Sequence, residues 1–210
     1  MRKITLADVK NIAEYEKIRP DFRRYIIETK SRRRVPVGDI VTFVFENRDT
    51  VLFQIQEMMR AERLVSEEKI QQEIDVYNEL IPADDELSAT MFIEIDDMEK
   101  LHQWLPRLVG IEATVALKIG DRFLVPARYE PGRSKEEKTS TVHYLKFPLT
   151  PEEIRAFGDE SLVVSLVINH ENYRAEGVLP HEVRRALIAE LSPPDSRRGK
   201  GSTGDSAHEN

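Results

Sequence analysis

The strongest constraint on this chain is the position at which its apolar periodicity changes. Up to about residue 80 the apolar residues recur at helical spacing. Leu6, Val9, Ile12 and Ala13 share one helical face, and Phe22, Tyr25, Ile26 and Thr29 share another. Beyond about residue 87 the pattern becomes alternating, as in Ala89, Met91, Ile93 and Ile95. A period near 3.6 puts one face of a helix against a core, and a period of 2 does the same for a strand. Helices grouped first and strands grouped afterwards point to an α+β fold rather than an alternating α/β one. The expectation is a helical N-terminal half packed on a mostly antiparallel sheet formed by the C-terminal half. The short link at 81–87 makes residues 1–192 a single domain, helix-rich over 1–80 and strand-rich over 87–192. The Ser/Gly/Arg/Pro-rich stretch 193–210 reads as a disordered tail.

Local signals sharpen this outline. Thr5 with Asp8 three residues on marks a first helix start. Pro20 is expected to break or kink the run that follows, because it has no N–H and its ring crowds the preceding turn. Val35–Asp39 reads as a break. Ile40–Phe45 is open between strand and helix: its β-branched and aromatic residues favour a strand, while Ile40, Val44 and Val51 also suit a helical face. A mostly buried helix is predicted over Asp49–Leu64, and Ser66 caps another that runs to about Leu80. A strand at Ser88–Ile95 and a helix at Met98–Leu108 follow. Gly120–Asp121 turns a hairpin, residues 131–140 form a polar loop, and Thr141–Phe147 is a strand. Thr150 with Pro151 opens a short helix, Ser161–Ile168 and Tyr173–Val178 are strands, and Pro180 starts the closing helix.

Composition narrows the chemistry. The chain has no cysteine. Disulfides, thiolate nucleophiles and iron–sulfur ligation through cysteine are therefore excluded. No apolar run approaches the roughly 20 residues of a membrane span, and no signal-peptide core follows Met1, so a cytoplasmic protein is expected. The net charge of −7 is unevenly laid out. Residues 1–34 hold 11 Lys/Arg against 5 Asp/Glu, whereas 46–100 hold 5 against 16. Such an arm binds nucleic acid, binds an acidic partner, or folds over its own acidic neighbour. Arg23, Arg24, Lys30, Arg32, Arg33 and Arg34 supply phosphate-type charge, but the stacking aromatics Phe22 and Tyr25 lie on the apolar face. Self-pairing is the favoured reading, and nucleic-acid binding is disfavoured.

Three stretches carry a family resemblance. They are Phe45-Glu46-Asn47-Arg48-Asp49-Thr50 continuing through Gln54–Glu62, then Leu87–Thr90 with Phe92–Ile95, and Val142-His143-Tyr144-Leu145-Lys146-Phe147. The chain resembles, over about residues 5–190, the bacterial family catalogued as domain of unknown function 3501. One departure is Glu171, where the family pattern has a proline after the histidine. Members of that family are often encoded near rubrerythrin-like and iron–sulfur oxidoreductase proteins. The resemblance thus implies a role beside a redox or peroxide-handling module, with those proteins as partners.

Few residues are candidates for chemistry. Gln54, Glu57, Arg60 and Ala61 form one stripe of the 49–64 helix. A charge inside a packed layer needs a partner. The structural reading is a bridge from Arg60 to Glu57 or Glu94. The functional reading is a pocket between this helix and the sheet, with Glu57 as base or metal ligand, His143 sharing acid–base work, Arg60 and Gln54 holding an anionic ligand, and His170 at the rim. Glu57, Glu62, His143 and His170 form the candidate metal set, since carboxylate and imidazole together suit a divalent ion. No His-Glu-x-x-His spacing, glycine-rich phosphate loop or nucleophile elbow is present. Two function classes follow: an accessory or interaction protein, or a small enzyme or ligand-binding protein with no cofactor specified.

Overall fold

The computed structural model describes residues 1–191 apart from 133 and 136. The expected tail at 193–210 lies outside the described residues. Among the described residues there are six α-helices and nine strands. The strands form two antiparallel sheets. The fold is α+β, as its periodicity predicts.

The N-terminus departs from the expected helix start. Thr5 donates its backbone N–H to Asp8 at 2.9 Å, but the pair closes only a 3-10 turn, Leu6–Asp8. Helix α1 (Ile12–Ser31) begins after Asn11, whose side chain accepts from the Glu14 N–H at 3.0 Å. Pro20 does not end it: α1 runs through. Pro20 and Glu16, four residues earlier, are both exposed. The carbonyl that proline leaves unbonded therefore faces water, which removes most of the usual penalty.

The expected break at 35–39 is largely strand. β1 (Arg34–Val37) pairs with β2 (Val41–Phe45) in a hairpin that turns through Gly38 at φ +71°. Pro36 is tolerated because β1 is an edge strand. β2 settles the open reading of 40–45. Every one of its residues is buried, with Val41, Phe43 and Phe45 in the inter-sheet core and Thr42 and Val44 on the opposite face. Coverage on both faces removes the alternation by which an isolated sequence would reveal a strand.

Helices α2 (Arg48–Glu62) and α3 (Glu67–Asn78) follow, then β3 (Glu86–Ile93) and α4 (Met98–Arg107). A 3-10 turn at Ile111–Thr114 leads into β4 (Val115–Ile119), β5 (Phe123–Pro126) and the two-residue β6 (Arg128–Tyr129). The chain closes with β7 (Val142–Pro148), α5 (Pro151–Gly158), β8 (Val164–His170), β9 (Tyr173–Val178) and α6 (His181–Ile188). The first sheet has the order β1-β2-β3-β7-β6 and the second β5-β4-β8-β9.

The inward rows of both sheets make one apolar core, which includes Phe43, Met91, Phe147, Leu117 and Leu166, with α4, α5 and α6 contributing Leu105, Phe157 and Leu187. A second core joins Val51, Ile55 and Met59 of α2 to Ile74 of α3, and Tyr144 of β7 packs against it. Hence α2 and α3 cover the outer face of the first sheet. The N-terminal helices rest on a sheet that the N-terminal half itself begins, and a second sheet lies behind it.

Candidate functional site

The segment Phe45–Thr50, with the helix it opens, forms a buried polar junction. The Glu46 carboxylate is 2% exposed. It accepts from the Thr50 hydroxyl, from the Thr90 hydroxyl at 2.6 Å and from Gln54 Nε2 at 3.2 Å. Three donors are what an enclosed carboxylate requires. Asn47 caps α2, accepting from the Thr50 N–H at 3.0 Å while Thr50 Oγ1 accepts from the Asn47 N–H at 2.9 Å. Asn47 Nδ2 also donates to Glu190 at 3.3 Å, and Glu190 is ion-paired with the buried Arg33. Arg48 meets Asp8 at 2.7 Å, and Asp49 accepts from the Tyr25 hydroxyl at 2.7 Å.

The polar stripe on α2 divides. Gln54 turns to the junction, whereas Glu57 and Arg60 face α1. Glu57 accepts from the Tyr15 hydroxyl at 2.7 Å and from Arg19 Nε and Nη2 at 2.8 and 2.9 Å. The Arg19 guanidinium holds the Glu57 carboxyl below its ordinary value, and the Tyr15 hydroxyl adds to the effect. Burial first, then the Glu57 bond, pushes the Tyr15 phenol well above its usual range. Arg60 pairs with Glu16 at 2.5 Å, so the expected bridges to Glu57 or Glu94 are replaced by a partner on α1. Glu94 instead pairs with Arg34 at 2.6 Å. Glu62 is exposed at the end of α2.

The histidines lie elsewhere. His143 shares the face of Leu145 and Phe147, so it points between the sheets while Glu57 lies among helices on the other side. His143 Nε2 lies 2.9 Å from the Ser140 carbonyl and 3.0 Å from Thr139 Oγ1. A carbonyl only accepts, which places the proton on Nε2. Nδ1 is 3.7 Å from a Glu112 carboxylate oxygen. Glu112 accepts from Ser134 Oγ at 2.8 Å, and Ser134 and Thr139 hydroxyls are 2.7 Å apart. Hydrogen bonds thus run from the Glu112 carboxylate through the Ser134 and Thr139 hydroxyls to His143 Nε2, while the Nδ1–Glu112 separation exceeds hydrogen-bond length. His170 is a structural joint: Nδ1 accepts from the Asn172 N–H at 3.2 Å and Nε2 faces the Val109 carbonyl at 3.1 Å. His102 is exposed, and His208 lies outside the described residues. Glu57, Glu62, His143 and His170 are not brought together. Among the described residues no three His, Asp or Glu side chains are grouped so as to hold a metal ion.

The comparisons fit this geometry. The family model described as Protein of unknown function (DUF3501) matches residues 3–191. The chain belongs to that family. The polar junction joins β2, α2 and, through Glu190, the turn that follows α6. A crystal structure described as a novel protein of unknown function from Burkholderia pseudomallei K96243 is similar, with 30% identity and a TM-score of 0.84. The match covers 91% of this chain and 100% of that one. Among curated proteins none matches. Family and fold are thereby shown, and neither description supplies an activity. No helix among the described residues is long and apolar enough to cross a membrane.

Three features of the DUF3501 chain escape a sequence reading. Glu46 sits inside the signature, yet nothing in the spacing of residues 45–50 reveals that its carboxylate is enclosed. Glu112, Ser134 and Thr139 gain meaning only when the loop folds against β7. The third is a groove. Val51, Ile55 and Met59 are buried on α2, and open space appears instead between α3 and the β6–β7 edge, with a volume of about 580 Å3.

Proposed function

We propose that this protein is a non-catalytic accessory or interaction protein, working in the cytoplasm beside a redox or peroxide-handling module of rubrerythrin-like and iron–sulfur oxidoreductase proteins. The observation that supports this reading is the solvent face of α3. Glu68, Asp75 and Glu79 recur at i, i+7 and i+11 on it, all exposed, with Val76 beside them at 66% exposure. Among the described residues, no ion pair engages Glu67, Glu68, Glu73 or Glu79. Carboxylates bordering an exposed aliphatic residue favour a polar-rimmed protein contact. By contrast Arg19, Arg33, Arg34 and Arg60 are engaged internally, which weakens the nucleic-acid reading. The test is titration of the purified protein with rubrerythrin-like and iron–sulfur partners from its own genome at low and high salt. Salt-sensitive binding abolished by Glu68→Lys with Asp75→Lys is expected. No binding at low salt refutes the reading.

A second reading is a small enzyme or ligand-binding protein in which His143 acts with a carboxylate. The chain of hydrogen bonds from Glu112 through Ser134 and Thr139 to His143 favours Glu112 over Glu57 as that partner. His143→Ala and Glu57→Gln separate the roles. Loss of a ligand-dependent signal with an unchanged fold supports chemistry, whereas loss of stability alone makes the residue structural.

A further inference from the structure

A small pocket lies along α6, against the start of β8, the end of β9 and residues 160–163. It shares no residue with the acidic face of α3, so it goes beyond the protein-contact reading above. Its volume is about 230 Å3, slightly below the roughly 300–1,000 Å3 usual for small-molecule sites, and suits a compact ligand. Its walls are aliphatic: Leu162, Val163, Val178 and Ile188. Val163 and Val178 are 60% and 61% exposed, apolar surface that a ligand's hydrocarbon would remove from water.

Two guanidinium groups, Arg184 and Arg185, line the same pocket. Arg184 is only 8% exposed. It makes four hydrogen bonds, two to the Phe157 carbonyl and one each to the carbonyls of Leu162 and Asp159. A guanidinium has five N–H groups, which leaves one on Nη1 uncommitted. Every bonded partner is a neutral carbonyl. A buried charge without a bonded counter-ion is unfavourable, and an anion beside it offsets that cost. Burial lowers the Arg184 guanidinium from its ordinary value, although Glu160 and Asp159 pull the other way. Arg185 is exposed, and among the described residues no ion pair engages it. Among the described residues Glu160 is the only carboxylate in the lining, and it lies 3.5 Å from His181 Nε2 on the same rim. Two cations thus face one carboxylate, and the field in the pocket favours negative charge.

From this geometry we propose that the pocket binds a small monocarboxylate, an acid carried on an apolar body. The carboxylate meets Arg184 and Arg185, and the body lies against the two valines. A planar guanidinium matches a carboxylate or a phosphate. The aliphatic walls favour the carboxylate, because only an anion with a hydrocarbon part covers them.

The test uses the full chain and calorimetric titration with phenylacetate in a buffer free of other carboxylates. Phenylacetamide serves as the uncharged control, and inorganic phosphate as the anion without an apolar body. Phenylacetate is expected to bind about ten-fold or more tighter than either. Arg185→Gln lowers phenylacetate affinity about three-fold or more, the size of an exposed ion pair, and leaves the amide unchanged. Val163→Ser weakens both. Both side chains are exposed, so neither change reaches the core; matched urea midpoints verify the fold. Equal binding of phenylacetate and its amide, phosphate binding as tight as phenylacetate, or either variant binding phenylacetate like the parent overturns the proposal. So does the absence of phenylacetate binding up to about 10 mM, the weak limit for a ligand of that size.

Discussion

Replacing Glu57 with alanine separates a structural role from a chemical one, and the structure sets the size of the effect. Tyr15 is fully buried, and its hydroxyl donates to Glu57 at 2.7 Å. Losing that acceptor leaves a buried donor unsatisfied, at a cost of about 1–3 kcal/mol. Arg19 loses two charge-assisted bonds, but both side chains are partly exposed, 27% and 29%, so solvent screening limits this part to about 1 kcal/mol. Together the loss is about 2–4 kcal/mol. In a domain of this size that lowers Tm by roughly 4–16 °C. The assay is urea unfolding with m compared between variants, extended to a double-mutant cycle with Arg19→Met. A coupling near 1 kcal/mol is expected between Glu57 and Arg19. The depressed carboxyl also fixes a pH signature. Its stabilisation is present above the ordinary carboxylate range and is lost as pH falls through the lowered folded value. Glu57→Ala removes that acid-side dependence. A variant within about 0.5 kcal/mol of the parent would refute the clamp.

Three further outcomes follow from other sites. Burial raises the Glu190 carboxyl despite Arg33 beside it, so its contribution is present below the ordinary carboxylate range and is lost as pH rises through the raised value; Glu190→Gln flattens that slope in urea midpoints taken across pH 4–7. Arg184 is buried and donates to the carbonyls of Phe157, Asp159 and Leu162, and Arg184→Leu should destabilise by about 3 kcal/mol in the same assay by leaving those carbonyls unbonded. A Cβ at Gly177 would collide with the Pro36 carbonyl, where β9 crosses β1, so Gly177→Ala is expected to cost about 1–3 kcal/mol, read by thermal melting.

Much of the architecture was legible in the residues. Thr150 stands at a helix start because its side chain accepts a backbone donor there, and that preference needs no tertiary context. The hairpin at Gly120 and the alternation of β7, whose residues 143, 145 and 147 are buried, were equally local. Pro20 misled, because the cost of a proline in a helix depends on whether the stranded carbonyl meets water. Residues 34–45 were also obscure: a strand buried on both faces shows no alternation, and the core that takes Val41, Phe43 and Phe45 is completed by the second sheet.

The site followed the same division. The sequence by itself determined that Glu57 and Arg60 need partners, that a basic arm adjoins an acidic segment, and that cysteine chemistry is absent. Tertiary structure alone decided who the partners are. The stripe on α2 meets α1 because Phe22 and Phe53 pack edge-to-face at 5.7 Å between the helices and bring Arg19 beneath Glu57. His143 and Glu112 approach because a strand and a 3-10 turn, 31 positions apart, lie against one core. The groove by α3 exists because α3 covers only part of the sheet and β6 ends after two residues. Local preference fixes an element and its face. Which faces meet depends on excluded volume and on burying charge in pairs, both properties of the assembled chain.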